Sequence, residues 1–291
     1  MIESVVPIGA TVREGDAEFG VTWLLVGDNW MVLDYASRGV DTFYIASVSD
    51  DTSRTYGSGG GGGSGGLDGI LHSERRLLET LDPRATKLHI TFAEPREDAH
   101  PVAEMTVPVS RVPATMLRAR VGSATSPFRP APGTCLECGE RSREWQCSAC
   151  RDEEIAIGGR GRAQLVPEIV GPVCGDLDLV DGLRHAMGGI LAWENTFVLR
   201  FFFEPVPGSR GGPNDPPGPI VGRWTGEDAS GRFYAGRTRQ SGFGTGGGRA
   251  FGDATIEFMP ALDPTSGPLV LRSGPPGHPV LELELPLEPR G

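Results

Sequence analysis

The chain has 291 residues, a formal net charge of −11, 38% apolar residues, 43 Gly and 25 Pro. That length leaves room for two domains with separate cores, and the acidic balance sets the chain as a whole against nucleic acid and anionic membranes. Glycine and proline at this level oppose long helices and suit strands joined by turns.

In chain order, the first apolar runs are Val5 to Ile8, Phe19 to Val26 and Trp30 to Tyr35. The last two are separated by the short polar turn Asp28-Asn29, a β-hairpin signal. Met1 to Ala10 lack the basic start and continuous apolar run of a secretory signal. Phe43 to Ala46 form the next predicted strand, followed by Ser49-Asp50-Asp51-Thr52-Ser53-Arg54-Thr55-Tyr56. Gly57 to Gly66, eight glycines and two serines, is expected to be a mobile loop. Ser73 to Leu81 taken alone suggests a helix, with a Ser cap and helically spaced apolar residues. Leu81-Asp82-Pro83 follows, then strands at Lys87 to Phe92 and Val102 to Val109, the latter introduced by His100-Pro101.

More than a hundred residues later the same phrases recur. The turn-like Glu194-Asn195 precedes Phe197 to Phe201, and Ile220 to Trp224 leads into Gly226-Glu227-Asp228-Ala229-Ser230-Gly231-Arg232-Phe233-Tyr234. A second glycine-rich tract, Gly242 to Gly252, reads as the equivalent loop, and Leu262-Asp263-Pro264, His278-Pro279-Val280 and Leu285-Pro286-Leu287 complete the copy. A repeat of this period describes one module used twice. The repeat also decides the local conflict. Aligned from the shared Leu-Asp-Pro, Ser73 to Leu81 matches Asp253 to Leu262, where Ile256 and Phe258 alternate and Pro260 opposes a helix. Both segments are therefore predicted strands, with Leu77 matching Phe258, Trp30 matching Phe197 and Tyr56 matching Tyr234.

Seven or so short strands per copy predict an all-β chain of two related immunoglobulin-like β-sandwich modules, with a barrel as the rival architecture. The expected division is 1–112 for the first module, 113–165 for a linker bearing cysteines and 166–291 for the second. The glycine tracts lack the Lys-Ser/Thr ending and following helix of a phosphate-binding loop. Asp50-Asp51 and Glu227-Asp228 read as solvated turns, since a hard-cation site needs six or more oxygens. His100 and His278, each before Pro, read as features of strand starts.

Between the copies, Cys135-Leu136-Glu137-Cys138-Gly139 and Cys147-Ser148-Ala149-Cys150 make C-x₂-C-x₈-C-x₂-C. Each pair curls round one ion, and two knuckles joined by a hairpin through Glu140 to Gln146 complete the tetrahedral S₄ shell that Zn²⁺ accepts. Cys135, Cys138, Cys147 and Cys150 are the candidate metal ligands. Residues 135–150 resemble the paired knuckles of zinc ribbons and rubredoxin-like modules. With all four positions filled by protein, such a zinc is structural, and iron in the same cage is the alternative metal. Cys174 lies outside the motif and reads as an unpaired, partly buried thiol. From Arg111 to Arg162 there are nine arginines against six acidic residues, with Trp145 near the knuckles.

No nucleophile–base pairing, acid–base carboxylate pair or cofactor fingerprint stands out, and no run approaches the ~20 apolar residues that span a bilayer. The leading expectation is a non-enzymatic cytoplasmic protein-binding or scaffold protein with a structural zinc. A redox-responsive zinc switch is the second reading. A nucleic-acid accessory factor using the arginine-rich centre is the third.

Overall fold

A computed structural model describes residues 2–65, 69–96, 100–115, 117–121, 135, 141, 143, 147–158, 164–170, 175–180, 183–205, 223–246, 249–274 and 281–287. The chain divides into two units, residues 1–114 with 161–172, and residues 115–160 with 173–291. Both are built of antiparallel strands, and α1 (Ser148–Gly158) is the one helix among the described residues.

The first unit contains β1 (Ile2–Glu14), β2 (Ala17–Gly27), β3 (Met31–Arg38), β4 (Ile45–Asp50), β5 (Ser58–Gly65), β6 (Ile70–Leu77), β7 (Lys87–Ala93), β8 (Pro101–Pro108) and the short β9 (Val112–Pro113). One sheet runs β5-β6-β3-β2-β1-β9 and the other β4-β7-β8. With β2 to β8 lettered A to G, these are D-E-B-A and C-F-G, the strand order of a constant-type immunoglobulin sandwich. β1 is an added strand beside A. The β2–β3 hairpin closes where the Gly27 N–H donates to the Trp30 carbonyl at 2.8 Å, with Asp28 and Asn29 at the tip.

Alternation sets the core. β7 points Leu88, Ile90 and Phe92 inward and turns His89 and Thr91 away. Phe19 stacks on Phe92 with ring centroids 4.8 Å apart, and Val21, Leu24, Met31, Leu33 and Leu77 join the same core. Each such side chain contributes about 2–3 kcal/mol by leaving water.

The second unit repeats this plan. After β10 (Arg118–Val121), and β11 (Glu168–Val170), which clusters with the first unit, come β12 (Gly175–Val180), β13 (Leu183–Ala192), β14 (Phe197–Pro205), β15 (Arg223–Asp228), β16 (Phe233–Gly246), β17 (Arg249–Met259), β18 (Leu269–Ser273) and β19 (Leu281–Leu285). β13 to β19 are again A to G: β16-β17-β14-β13 is D-E-B-A, β15-β18-β19 is C-F-G, and β12 lies beside A as β1 does. Leu281, Leu283 and Leu285 point inward while Glu282 and Glu284 alternate with them. Phe197 of strand B stacks on Phe258 of strand E with ring centroids 4.8 Å apart, at the place Met31 and Leu77 hold in the first unit. The expected duplication and immunoglobulin-like order are both present.

Three local expectations are corrected. The glycine tract is a strand: β5 pairs with β6 from Ser58↔Leu77 to Gly65↔Leu71, with one bulge between Ser58 and Gly60. The ladder supplied by β6 overrides glycine's weak strand preference. The absence of side chains lets neighbours lie close, since a Cβ on Gly63 would meet the Phe43 ring at 2.6 Å. The second tract is likewise the paired end of β16 and the start of β17, from Gly242↔Asp253 to Gly246↔Arg249. The third correction is one of register. Trp193 N–H donates to the Thr196 carbonyl at 2.8 Å, so Trp30 corresponds to Thr196 and Met31 to Phe197. The pairs Met31↔Leu77 and Phe197↔Phe258 occupy the same place, which keeps the expected match of Leu77 with Phe258. Ser73 to Leu77 is strand, as the repeat requires.

Candidate metal centre and the paired carboxylate cages

Cys147 stands immediately before α1. Its carbonyl accepts the Arg151 N–H at 3.0 Å, the first bond of the helical ladder, and its Sγ accepts the Cys150 N–H at 3.5 Å. This is the N-cap arrangement with sulfur in place of the usual oxygen. Cys150, three residues on, falls on the same face of the first turn. Cys135 comes from a separate stretch, and the Sγ atoms of Cys135, Cys147 and Cys150 all lie within 4.8 Å of one another. Cys135 and Cys150 are buried, Cys147 is partly exposed, and none of the three is in a disulfide.

The second Cys-x-x-Cys is thus the opening turn of a helix rather than a knuckle in a loop. Ala149, Glu153 and Ala156 favour that helix and Gly158 ends it, a local signal in the sequence beside the metal motif. Cys138, the expected fourth ligand, lies outside the described residues, as do Cys174, Trp145 and His278. Glu153 fixes the helix to the second unit through a 3.0 Å ion pair with Arg223 of β15.

Three sulfurs so disposed fit a thiophilic ion. In a tetrahedral S₄ shell with bonds of about 2.3 Å, neighbouring sulfurs lie about 3.8 Å apart, so small side-chain rotations inside the 4.8 Å limit close the site. Thiolate donors suit zinc or iron and disfavour calcium and magnesium.

A second pair of sites escaped the sequence reading. Asp50 is buried, and its Oδ1 accepts the Thr52 N–H (2.9 Å), the Thr52 hydroxyl (2.7 Å) and the Arg54 N–H (3.2 Å). Its Oδ2 accepts the Tyr56 hydroxyl, which in turn accepts the Asp82 N–H at 3.0 Å. In the second unit, Asp228 Oδ1 accepts the Ser230 N–H (2.9 Å), the Ser230 hydroxyl (2.6 Å) and the Arg232 N–H (3.0 Å). Asp228 Oδ2 accepts the Tyr234 hydroxyl at 2.7 Å, and the Asp263 main chain bonds that hydroxyl in turn. Ser53 and Gly231 take φ of 68° and 80° at the same place in the two turns. Arg54 and Arg232 each lie 5.7 Å from the centre of the following tyrosine ring.

These Asp–Tyr cages correct the expectation of solvated turns. They pin the C–D connection of each module to its E–F connection, which carries Asp82 or Asp263. Burial pushes the carboxyls of Asp50 and Asp228 up, but the surrounding hydrogen bonds outweigh it and hold both below the ordinary carboxylate range. Burial, and then the carboxylate itself, push Tyr56 and Tyr234 up to about 12. With Oδ1 taking three donors and Oδ2 a fourth, each carboxylate is engaged in structure rather than open to a cation. The signal was in the repeat: Asp-x-Thr/Ser-x-Arg-x-Tyr followed at a distance by Leu-Asp-Pro.

His100 is exposed just before β8. Of the central arginines, Arg141, Arg143 and Arg151 are exposed. No helix among the described residues is long and apolar enough to cross a membrane.

No known protein family matches the chain, and none of the curated proteins is similar to it. Among solved structures, the crystal structure of the conserved domain protein from Bacillus anthracis is similar at 10% identity, over 92% of this chain and 77% of that one, with a TM-score of 0.27. A likeness at that level carries no argument.

Proposed function

We propose that the protein is a non-enzymatic binding or scaffold protein of the reducing cytoplasm, in which Cys135, Cys138, Cys147 and Cys150 hold one structural zinc ion. The observation that supports this best is the convergence of three cysteine sulfurs within 4.8 Å at the capped start of α1. In this reading Cys138, the partner of Cys135 in the first Cys-x-x-Cys of the sequence, is the fourth ligand. A shell closed by four thiolates has no position for a substrate water, so the ion orders the segment rather than reacts. Its binding energy stands in for the core that so short a segment lacks.

The binding role follows from the scaffold. Two immunoglobulin-order sandwiches give two sets of loops and sheet edges, surfaces suited to loop-mediated contact or strand addition. The cages hold the loops of each module in one arrangement, which lowers the entropic cost of engaging a partner. The acidic net charge favours a protein partner over nucleic acid or an anionic membrane.

The reading is tested by isolating the full chain with crosslinking from its native cell and measuring its metal. One zinc per chain and a protein partner recovered in fixed ratio, lost when loop residues are changed in the folded chain, are the expected outcome. A turnover that Ala substitutions abolish without unfolding the chain would overturn it.

A further inference from the structure

We infer that Cys147 is the modification site through which peroxide reaches the cysteine cluster, and that its oxidation ends in a Cys147–Cys150 disulfide. The inference rests on the zinc reading for its consequence, metal release, while the order in which the sulfurs react can be read in metal-free protein as well. Three observations carry it. Cys135 and Cys150 are 0% and 2% exposed, whereas Cys147 is partly open to solvent, so an oxidant in water meets one of the three sulfurs first. Cys147 precedes the helix instead of lying within it, and its Sγ already rests against the Cys150 N–H at 3.5 Å. Cys150 shares that first turn, so a bond between these two sulfurs closes within a single helical turn, whereas a bond to Cys135, though its sulfur is as near, would tie two separate stretches together. Exposure of one sulfur beside a buried second is the arrangement of an attacking and a resolving cysteine.

The chemistry closes with hydrogen peroxide as the oxidant. The Cys147 thiolate attacks one peroxide oxygen; an S–O bond forms, the O–O bond breaks, and the departing hydroxide takes a proton to leave as water. Sulfur has lost two electrons and peroxide has gained them. The Cys150 thiolate then attacks the sulfenic sulfur; the S–S bond forms, the S–O bond breaks, and a second hydroxide takes a proton to become water. Two thiols and one peroxide yield one disulfide and two waters. The metal loses two thiolates of its shell and is released.

The test treats the full-length reduced, zinc-loaded chain with limiting peroxide in the presence of a chromogenic zinc chelator, traps free thiols by alkylation and maps the peptides. The expected result is a Cys147–Cys150 disulfide that accumulates in step with zinc release. Cys150→Ser, treated as the metal-free reduced chain because it has lost a ligand, should instead leave a Cys147 sulfenic acid that a dimedone probe captures. In the metal-free reduced chain, Cys147 should alkylate at least about tenfold faster than Cys135 or Cys150, as expected for an open site beside protected ones. The inference falls if Cys135 or Cys150 is oxidised or alkylated first, if a disulfide forms without Cys147, or if zinc leaves with Cys147 still reduced. A chain that takes up no zinc yet shows the expected thiol order would remove the zinc reading and keep the reactive-site assignment.

Discussion

The two modules hold the same cage in different sheets. In the second, β15 pairs with β16 from Arg223↔Arg237 to Glu227↔Phe233, so its C and D strands join into one continuous sheet. In the first, among the described residues, that place holds the isolated bridge Ser49↔Thr55, and β4 and the glycine strand β5 belong to different sheets. Yet the Asp–Tyr network closes in both with the carboxylate taking a hydroxyl and two main-chain N–H groups on one oxygen and the tyrosine hydroxyl on the other. The conserved element of the duplication is therefore the side-chain pin across the C–D and E–F connections, while sheet continuity is free to differ.

The largest contrast lies between these pinned modules and the cysteine segment, where the described residues supply a cluster of three sulfurs and one helix. Cys150→Ser should abolish stoichiometric zinc binding and unfold the α1 segment while leaving both sandwiches folded, as read by metal analysis and hydrogen exchange. Loss of sandwich protection would show that the modules do not stand on their own cores. Within the modules, Asp50→Ala and Asp228→Ala should each cost about 2–4 kcal/mol, because a buried tyrosine hydroxyl and two backbone N–H groups lose their acceptor. Similar losses in the two modules, measured by denaturant unfolding, sharpen the comparison; a loss confined to the second would make sheet continuity the true support.

Glycines probe the difference between the sheets. A Cβ on Gly236 would run into the ring of Phe258, which is fully buried, so Gly236→Ala should cost roughly 1–3 kcal/mol by overpacking. A Cβ on Gly63 meets the ring of Phe43, a residue 41% exposed and so with solvent to turn into, and Gly63→Ala should cost about 0.5 kcal/mol or less. Equal costs would mean that β5 is as tightly covered as β16.

The cages also make stability depend on pH. Asp50 and Asp228 have lowered carboxyl values in the fold, so their contribution is complete above the unfolded value of about 3.9 and fades as pH falls through the folded one. Tyr56 and Tyr234, raised to about 12, contribute fully below about 10 and lose that contribution as pH climbs towards 12. Melting temperature should thus fall below pH 4 and again above pH 10, and Tyr56→Phe with Tyr234→Phe should flatten the alkaline limb. An unchanged alkaline limb would separate the tyrosines from the cages.

Much of the architecture was legible because duplication supplies two readings of one backbone. Ser73 to Leu77 looks helical alone and is strand beside Ile256 and Phe258, whose alternation is unambiguous. The glycine strand was not legible, since its strand state comes from β6 and leaves no trace in its own residues. The Trp30–Phe197 match failed by one position because two aromatics drew the eye across a turn whose register is set by backbone bonds. At the candidate metal centre, the four-cysteine spacing announced the cluster, and Cys135, Cys147 and Cys150 do converge. The helix after Cys147 was obscured because the metal motif and the helix start share the same residues. The cages were visible as repeated letters, but their burial depends on Asp82 and Asp263, distant in sequence.

The most direct measurement is X-ray absorption at the metal edge of the purified, reduced full-length chain, together with elemental analysis. One zinc per chain surrounded by four sulfurs at about 2.3 Å is expected. Absence of bound metal, or a first shell containing oxygen or nitrogen in place of the fourth sulfur, would contradict the closed cysteine centre.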